Sequence, residues 1–405
     1  MFLKNKERGS FVENLSGSKL RKLNRRKELI NLFREHGKLS KNDIMKLTHY
    51  SISTVIATVD KMAEEGIIEE IGMGQPVSGR PPLFYSLRPE YGYSVGIDFN
   101  SEGIQIAIIN LNRQTLYTVQ EKMEQTQESI QEIVPKTTRL LDTLLESISG
   151  PKTILCIGIA CPGPFDYHAK RMLYYTQSVD IITPFTEHYH CPVYADKNLN
   201  CLATAYKEKD GRSLDNMVLV AMRAGVGMSC ILNGIIYKGY SGQAGDIGHT
   251  RVPNSTAVCK CGKVGCLDAE LSLSAITHKM EELMGPDTGN QGQKLTVLQK
   301  MQLFVQRVRD KQPDCLRVLD ECCYYLSMSL GQMMNLFNPS DVFFYGELTQ
   351  CGQPFLDGLQ KYLDPMYLEQ GPRHVNLSLT TLSQFAFAEG AAYYAVDRFF
   401  SPESL

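Results

Sequence analysis

The sequence predicts an α/β protein in which a winged helix-turn-helix precedes a larger body of two α/β lobes, with a small metal knuckle in the second lobe. Three observations lead there. Residues 1–90 hold 16 Lys/Arg against 11 Asp/Glu, while the rest of the chain holds 26 against 33. A β-hairpin pattern that opens the body returns about 120 residues further on. Finally, His249, Cys259, Cys261 and Cys266 gather one imidazole and three thiols in a short glycine-containing segment.

A chain of 405 residues exceeds one compact core, so two or three domains are expected. Apolar content of 43% with 21% charge describes an ordinary globular protein. No stretch approaches the roughly eighteen apolar residues of a membrane span. The start, MFLKNKERGSFVENLSGSKLRKL, lacks the apolar centre of a signal peptide. Twelve cysteines without an export signal point to a reducing cytoplasm, where most are free thiols or metal ligands. Residues 1–18, a mixture of Gly, Ser, Asn and charge, are expected to be a disordered tail.

The front domain is placed at 19–90. Residues 1–40 carry 11 Lys/Arg against 4 Asp/Glu, a balance that suits a polyanion partner, although charge alone also fits a disordered basic tail. Leu20, Leu23, Ile30 and Phe33 recur at helical spacing, and Gly37 stops that helix. Ser40 and Asp43 resemble a capping box for a short second helix expected to bury Ile44 and Leu47. Thr48-His49-Tyr50 makes the turn. Ser51 then caps a third helix whose apolar stripe is Ile52, Val55, Ile56, Val59 and Met62. Its other face shows Ser51, Ser53, Thr54, Thr58 and Lys61, short polar groups that position a helix in a major groove but specify bases weakly. Lys41, opening the second helix, is assigned to the same DNA-binding face. After Gly66 two extended runs flank a Gly/Pro-rich tip, which reads as a wing with Arg80 placed to reach a minor groove. A helical trio that binds protein is the alternative.

Beyond Pro89, YSVGIDFNSEGIQIAIINL is a β-hairpin, and NMVLVAMRAGVGMSCILNGIIY repeats it. Between them lie a helical stretch near 126–148, a buried strand in TILCIGIACPGPF, and a helix from Asn198 to Lys209. Repetition of strands followed by helices predicts two related lobes, about 91–200 and 201–405.

The segments GIACPGPFD (158–166), YADKNLNCLATAY (194–206), GVGMSCILNGIIYKGYSGQAGDIGH (225–249) and CKCGKVGCLDAE (259–270) resemble the successive signatures of the ROK family. That family groups sugar-responsive repressors, uncharacterised reading frames and sugar kinases, and the winged helix resembles its repressor branch. The resemblance implies a two-lobed actin-like body of the sugar-kinase type.

A knuckle of this kind can hold nucleic acid, close an active site or staple a loop. Three thiolates and an imidazole make a closed tetrahedral zinc set, and Gly262 and Gly265 permit the tight backbone it needs. Lys260, Lys263 and Arg251 without interleaved aromatics argue against nucleic acid. In ROK relatives the matching histidine binds zinc and also touches the sugar, which implies that the metal fixes the floor of the sugar pocket.

A ROK kinase carries its general base in Glu-Asn-Asp-Ala-Asn. Here the segment reads Asp196-Lys197-Asn198-Leu199-Asn200, so the base position is Asn198, an amide that cannot accept the proton. The first phosphate turn reads Asp98-Phe99-Asn100-Ser101-Glu102 and the second reads Arg223 to Ser229, with Ala224 in place of Thr. The adenosine turn reads Tyr345-Gly346-Glu347. No ATP is therefore expected, although Arg223 could still hold an anion. By resemblance the effector contacts are Gly163, Lys197, Asn198, Asp246, His249 and Asp268, with both carboxylates one methylene shorter than usual. A wider pocket with the added Lys197 charge suits a larger, substituted or acidic sugar; a vestigial cleft is the alternative.

These readings predict a sugar-responsive transcriptional regulator that binds a double-stranded DNA operator as a homodimer, or a tetramer, with a zinc-fixed and catalytically inactive sensor body. The rivals are an active sugar kinase with an accessory DNA-binding domain, and a zinc-dependent scaffold without ligand.

Overall fold

Helix α1 (Gly17–His36) ends where Gly37 takes a left-handed φ of 71° and its amide bonds back to the Phe33 carbonyl at 2.8 Å. The computed structural model that shows this describes residues 17–73, 81–100, 103–122, 129–149, 153–174, 177–212, 214–285, 295–366 and 375–400. Strand β1 (Lys38–Ser40) leads into α2 (Lys41–Thr48), where the Ser40 side chain and the Asp43 carboxylate cap each other's backbone reciprocally. His49, in the left-handed region, closes α2, and Ser51 caps α3 (Ile52–Glu64) by accepting from the Thr54 amide. Strands β2 (Ile68–Met73) and β3 (Leu83–Leu87) pair antiparallel, with β1 on the far side of β3. The wing is thus present, but its tip and Arg80 lie outside the described residues, as does most of the expected tail.

The core of this domain is Leu29, Ile30, Phe33, Ile44, Val55, Val59 and Met62. Three residues expected there are not buried. Leu47 is 44% exposed, Ile52 44% and Ile56 41%. Helix α2 has only two turns, and Leu47 leaves its last one beside left-handed His49. On α3 the neighbours α1, α2 and β2 cover only the Val55–Val59–Met62 strip, which leaves Ile52 and Ile56 on its flanks.

The body opens with an antiparallel meander, β4 (Tyr93–Asn100), β5 (Gly103–Ile109) and β6 (Thr115–Lys122). Helix α4 (Ser129–Ser147) crosses to β7 (Ile154–Cys161), parallel to β4. After short strands β8 (Phe165–Asp166), β9 (Arg171–Tyr174) and β10 (Gln177–Asp180) and helix α5 (Thr183–Tyr189), β11 (Val193–Lys197) joins parallel to β7. The sheet order is β11-β7-β4-β5-β6. Every residue of β4 and β5 is buried, as expected for a sheet covered on both faces.

The same plan then repeats. Helix α6 (Asn198–Asp210) precedes β12 (Met217–Met222), β13 (Val226–Leu232) and β14 (Ile235–Ile236). Among the described residues the α-helices α7 (Leu267–Leu271), α8 (Leu273–Met284), α9 (Val297–Arg309) and α10 (Pro313–Phe337) follow. Strand β15 (Asp341–Gly346), helix α11 (Gln353–Leu363) and strand β16 (Asn376–Leu379) complete the sheet β14-β13-β12-β15-β16, with β15 parallel to β12 and β16 parallel to β15. The two sheets share one topology, which is the duplication the repeated hairpins predict.

Two compact units result. One comprises residues 1–163, 170–201 and 387–405, the other 164–169 and 202–386. The last helix, α12 (Ala386–Phe399), therefore belongs almost wholly to the first unit. It lies directly on β4 and β7: a Cβ on Gly96 would stand 1.8 Å from the Ala388 carbonyl oxygen, and one on Gly158 1.9 Å from that of Ala391. Among the described residues no helix is long and apolar enough to cross a membrane.

Candidate DNA-binding face, metal site and effector residues

On α3 the hydroxyls form a local network. Ser51 Oγ lies 3.1 Å from Ser53 Oγ and 2.9 Å from Thr54 Oγ1, and Thr58 donates to the Thr54 carbonyl at 2.8 Å. Ser51 and Ser53 are exposed, whereas Thr54 and Thr58 are half-buried. Lys41 Nζ donates to Asp60 at 2.5 Å. Burial opposes its charge, but that hydrogen bond and nearby Tyr85 hold the ammonium above the usual lysine range, so it stays protonated. Beside these groups the structure exposes Ile52 and Ile56, which sequence periodicity assigned to the core. These two β-branched side chains, at i, i+4 and each somewhat more than half covered, leave an apolar edge on the same helix.

In the second unit the four expected metal ligands converge. One donor atom from each of His249, Cys259, Cys261 and Cys266 lies within 4.8 Å of all the others. Cys261 Sγ is 3.7 Å from Cys266 Sγ, and Cys259 Sγ is 3.9 Å from His249 Nδ1. Tetrahedral Zn–S bonds of about 2.3 Å place two sulfurs about 3.8 Å apart, so the donor set fits such an ion. The backbone explains the convergence. Gly262 and Gly265 adopt φ of 85° and 82°, the Cys259 amide bonds the Lys263 carbonyl at 2.8 Å, and the Gly262 amide bonds back to Cys259 at 2.8 Å.

The remaining effector candidates divide between the units. In the second, Asp246 precedes the turn Ile247–His249, with Asp246 and His249 both exposed. Asp268, on the first turn of α7, accepts the Val226 amide at 2.7 Å through Oδ1. Gly225 permits this approach, since a Cβ there would sit 2.9 Å from that oxygen. One oxygen of the shortened carboxylate thus pins the turn between β12 and β13.

In the first unit Asn198 begins α6, and Lys197 ends β11 with only 6% exposure. Gly163 follows β7, and a Cβ there would be 3.0 Å from the Leu173 carbonyl oxygen. Beside Lys197 and Asn198 the structure places two buried carboxylates that the sequence pattern did not single out. Asp98 and Asp196 both pair with Ala160, so the two carboxylates stand in one row across β4, β7 and β11, 0% and 1% exposed. Asp196 Oδ1 accepts from the Lys197 amide at 2.7 Å and from Asn200 Nδ2 at 2.8 Å, while Asn100 donates to Asp98 at 2.8 Å. Burial, and then the charges of Asp196 and Asp98, push the Cys161 thiol well above its ordinary range. The available signal was an acidic residue closing two apolar strands, YSVGID and VYAD.

A winged helix-turn-helix DNA-binding model matches residues 23–69. Along its length the chain is 25% identical over 371 residues to the xylose repressor of Bacillus subtilis strain 168, covering 89% of this chain and 92% of that protein. A solved ROK family transcriptional regulator, described as a homolog of the E. coli MLC protein, superposes with a TM-score of 0.80 at 18% identity over 95% of this chain and 97% of its own. A ROK family glucokinase from Streptomyces griseus, solved with glucose and AMPPNP, covers 75% of this chain and 99% of its own with a TM-score of 0.63 at 20% identity. With the ROK family model matching residues 94–398, the chain belongs to the ROK family, with a winged helix-turn-helix ahead of the family domain.

Proposed function

We propose that this protein is a sugar-responsive, DNA-binding transcriptional repressor of carbohydrate-utilisation genes. The observation that carries the reading is the joining of a winged helix-turn-helix to a ROK body in one chain, aligned nearly end to end with a xylose repressor. The head binds a double-stranded operator through Ser51, Ser53, Thr54 and Thr58 of α3, with Lys41 on phosphate and Arg80 at the wing. One recognition helix per chain calls for a homodimer on a pseudo-palindrome, or a tetramer built from such dimers. The protein works in the cytoplasm, where its operator is.

The body is the sensor. His249, Cys259, Cys261 and Cys266 would hold structural zinc, leaving no ligand position for a water. With Nδ1 on the metal side, the other ring nitrogen of His249 is available to a sugar hydroxyl. Asp246, Asp268, Gly163, Lys197 and Asn198 supply the remaining effector contacts.

Catalysis is not part of this reading. Asn198 holds the position of the general base, and losing such a base typically forfeits about 10²–10⁴ in rate. Arg223 and Glu347, where the family resemblance would put phosphate and adenosine turns, pair with each other at 3.8 Å. The assignment of Asn198 by resemblance and the Arg223–Glu347 pair both favour a body that neither binds nor uses ATP.

The test combines a gel-shift titration at fixed salt against duplexes from sugar-utilisation promoters with a thermal-shift screen of sugars. A sugar that raises the melting temperature and alters the shifted fraction fits the proposal. ATP-dependent phosphorylation of that sugar would establish the kinase reading in its place.

A further inference from the structure

One carboxylate at the end of the chain meets the DNA-binding head. Strand β3 ends at Leu87 and β4 begins at Tyr93, so the head joins the body through a very short connection. The Arg88 amide bonds the Ile67 carbonyl at 2.9 Å and the Tyr93 amide bonds the Thr153 carbonyl at 2.9 Å, tying this connection down at both ends. Helix α12 is equally fixed. Its backbone touches Gly96 and Gly158, its Ala392 carbonyl accepts from Ser94 Oγ at 2.8 Å, and Glu389 accepts from Thr115 at 3.0 Å.

The last turn of α12 carries Asp397. Arg113, in the turn between β5 and β6, donates to Asp397 Oδ1, and its guanidinium lies 5.9 Å from the Tyr393 ring centre. Arg34, on the last turn of α1, stands 3.5 Å from the same Asp397 oxygen and donates through Nε to the Leu111 carbonyl at 3.1 Å. The arginine side chains are only 10% and 15% exposed. Both arginines converge on one oxygen of the same carboxylate, and their low exposure limits the screening of that contact by solvent.

We propose that Asp397 is a positioning residue for operator binding: it bridges α1 of the head and the β5–β6 turn of the body, and so sets the angle at which the recognition helix is presented. This rests on the repressor reading. Two heads that must enter major grooves about one helical turn apart tolerate little freedom in that angle. The recognition surface itself lies elsewhere, on α3, so loss of the bridge should spare contact with a single half-site.

The experiment uses full-length Asp397→Asn, Asp397→Glu and Arg34→Met, with a duplex selected by the wild-type protein from a random pool and one isolated half of it. Amide hydrogen exchange in the last turns of α1 should quicken about tenfold in Asp397→Asn and Arg34→Met, and return toward wild type in Asp397→Glu. Affinity for the complete duplex should fall about tenfold or more, while affinity for the half-site changes less than twofold. Unchanged exchange in α1 overturns the bridge. Quickened exchange with undiminished affinity for the complete duplex overturns the positioning role. If Asp397→Asn does not fold, Arg34→Met read against Arg34→Lys decides both points, since lysine keeps a charge for Asp397 but not the Nε bond to the Leu111 carbonyl. A wild-type protein that selects no duplex overturns the repressor reading, and the exchange measurement still decides whether the bridge holds the head.

Discussion

Arg223 and Glu347 meet just beyond the ends of neighbouring parallel strands, with the guanidinium Nε 3.8 Å from the carboxylate. Met222 and Gly346, the residues before them, pair across β12 and β15. The carboxyl ends of parallel strands are where open α/β sheets place their ligands. Here that edge carries an internal ion pair, about 20% exposed on each side.

The nucleotide prediction follows. Neither ATP nor AMPPNP with magnesium should raise the melting temperature of the wild-type protein, and no sugar should be phosphorylated above background. Asn198→Asp alone should not create a kinase, because a restored base does not restore the phosphate turns. Turnover in a coupled assay that vanishes in Asn198→Ala would refute the inactive-body reading.

The DNA prediction concerns α3. Ser53→Glu with Thr54→Glu puts two negative charges at the helix end proposed to enter the operator, and operator binding should disappear with the fold and metal content unchanged. Ile56→Ser should cost only about 1–2 kcal/mol of stability, since the side chain is already 41% exposed, and about a further 1 kcal/mol of binding at a thymine-containing position. Circular dichroism melts and gel-shift titrations at fixed salt separate the two effects. An Ile56→Ser variant that melts early and binds normally would return Ile56 to a purely structural role.

Much of this fold is legible from pattern alone. The capping box at Ser40 and Asp43, the stop at Gly37 and the repeated hairpins are local devices, each written within a few residues. Ile52 and Ile56 were misread for an equally physical reason. Periodicity reports which residues share a helix face, but the width of the buried strip depends on the neighbours, and here α1, α2 and β2 cover a narrow one. The cluster from His249 to Cys266 could be recognised because its members are close in sequence. The row joining Asp98 to Asp196 could not, since it arises only when β4, β7 and β11 fall into register. The Arg34–Asp397 contact spans nearly the whole chain and has no sequence signature.

Packing of α12 gives a stability prediction. Gly158→Ala places a methyl group 1.9 Å from the Ala391 carbonyl oxygen, a backbone atom that cannot step aside without moving the helix. Overpacking of this kind costs about 3 kcal/mol, and the melting temperature should fall by roughly 6–12 °C. Gly262→Ala, where a Cβ meets nothing within 4 Å but φ is 85°, should cost only about 1 kcal/mol. Equal losses for the two variants would mean that α12 does not sit against β7 as described.

The last prediction connects the metal to signalling. Cys261→Ser should lose most of the bound zinc, measured by atomic emission on the purified protein, because a hydroxyl is a poor substitute for a thiolate. The head buries its own core of Leu29, Ile30, Phe33, Val55, Val59 and Met62, far from the knuckle in sequence, so operator affinity should stay within about twofold of wild type. What should disappear is the response to the sugar. On the proposed reading the metal would orient the His249 ring, and a ring released from it would no longer present a fixed nitrogen to the ligand. A zinc-free variant that still responds normally would reduce the knuckle to a staple for the 249–266 loop. Loss of operator binding along with the zinc would instead tie the metal to assembly of the dimer, and His249 would then owe its place to subunit contact and not to sugar recognition.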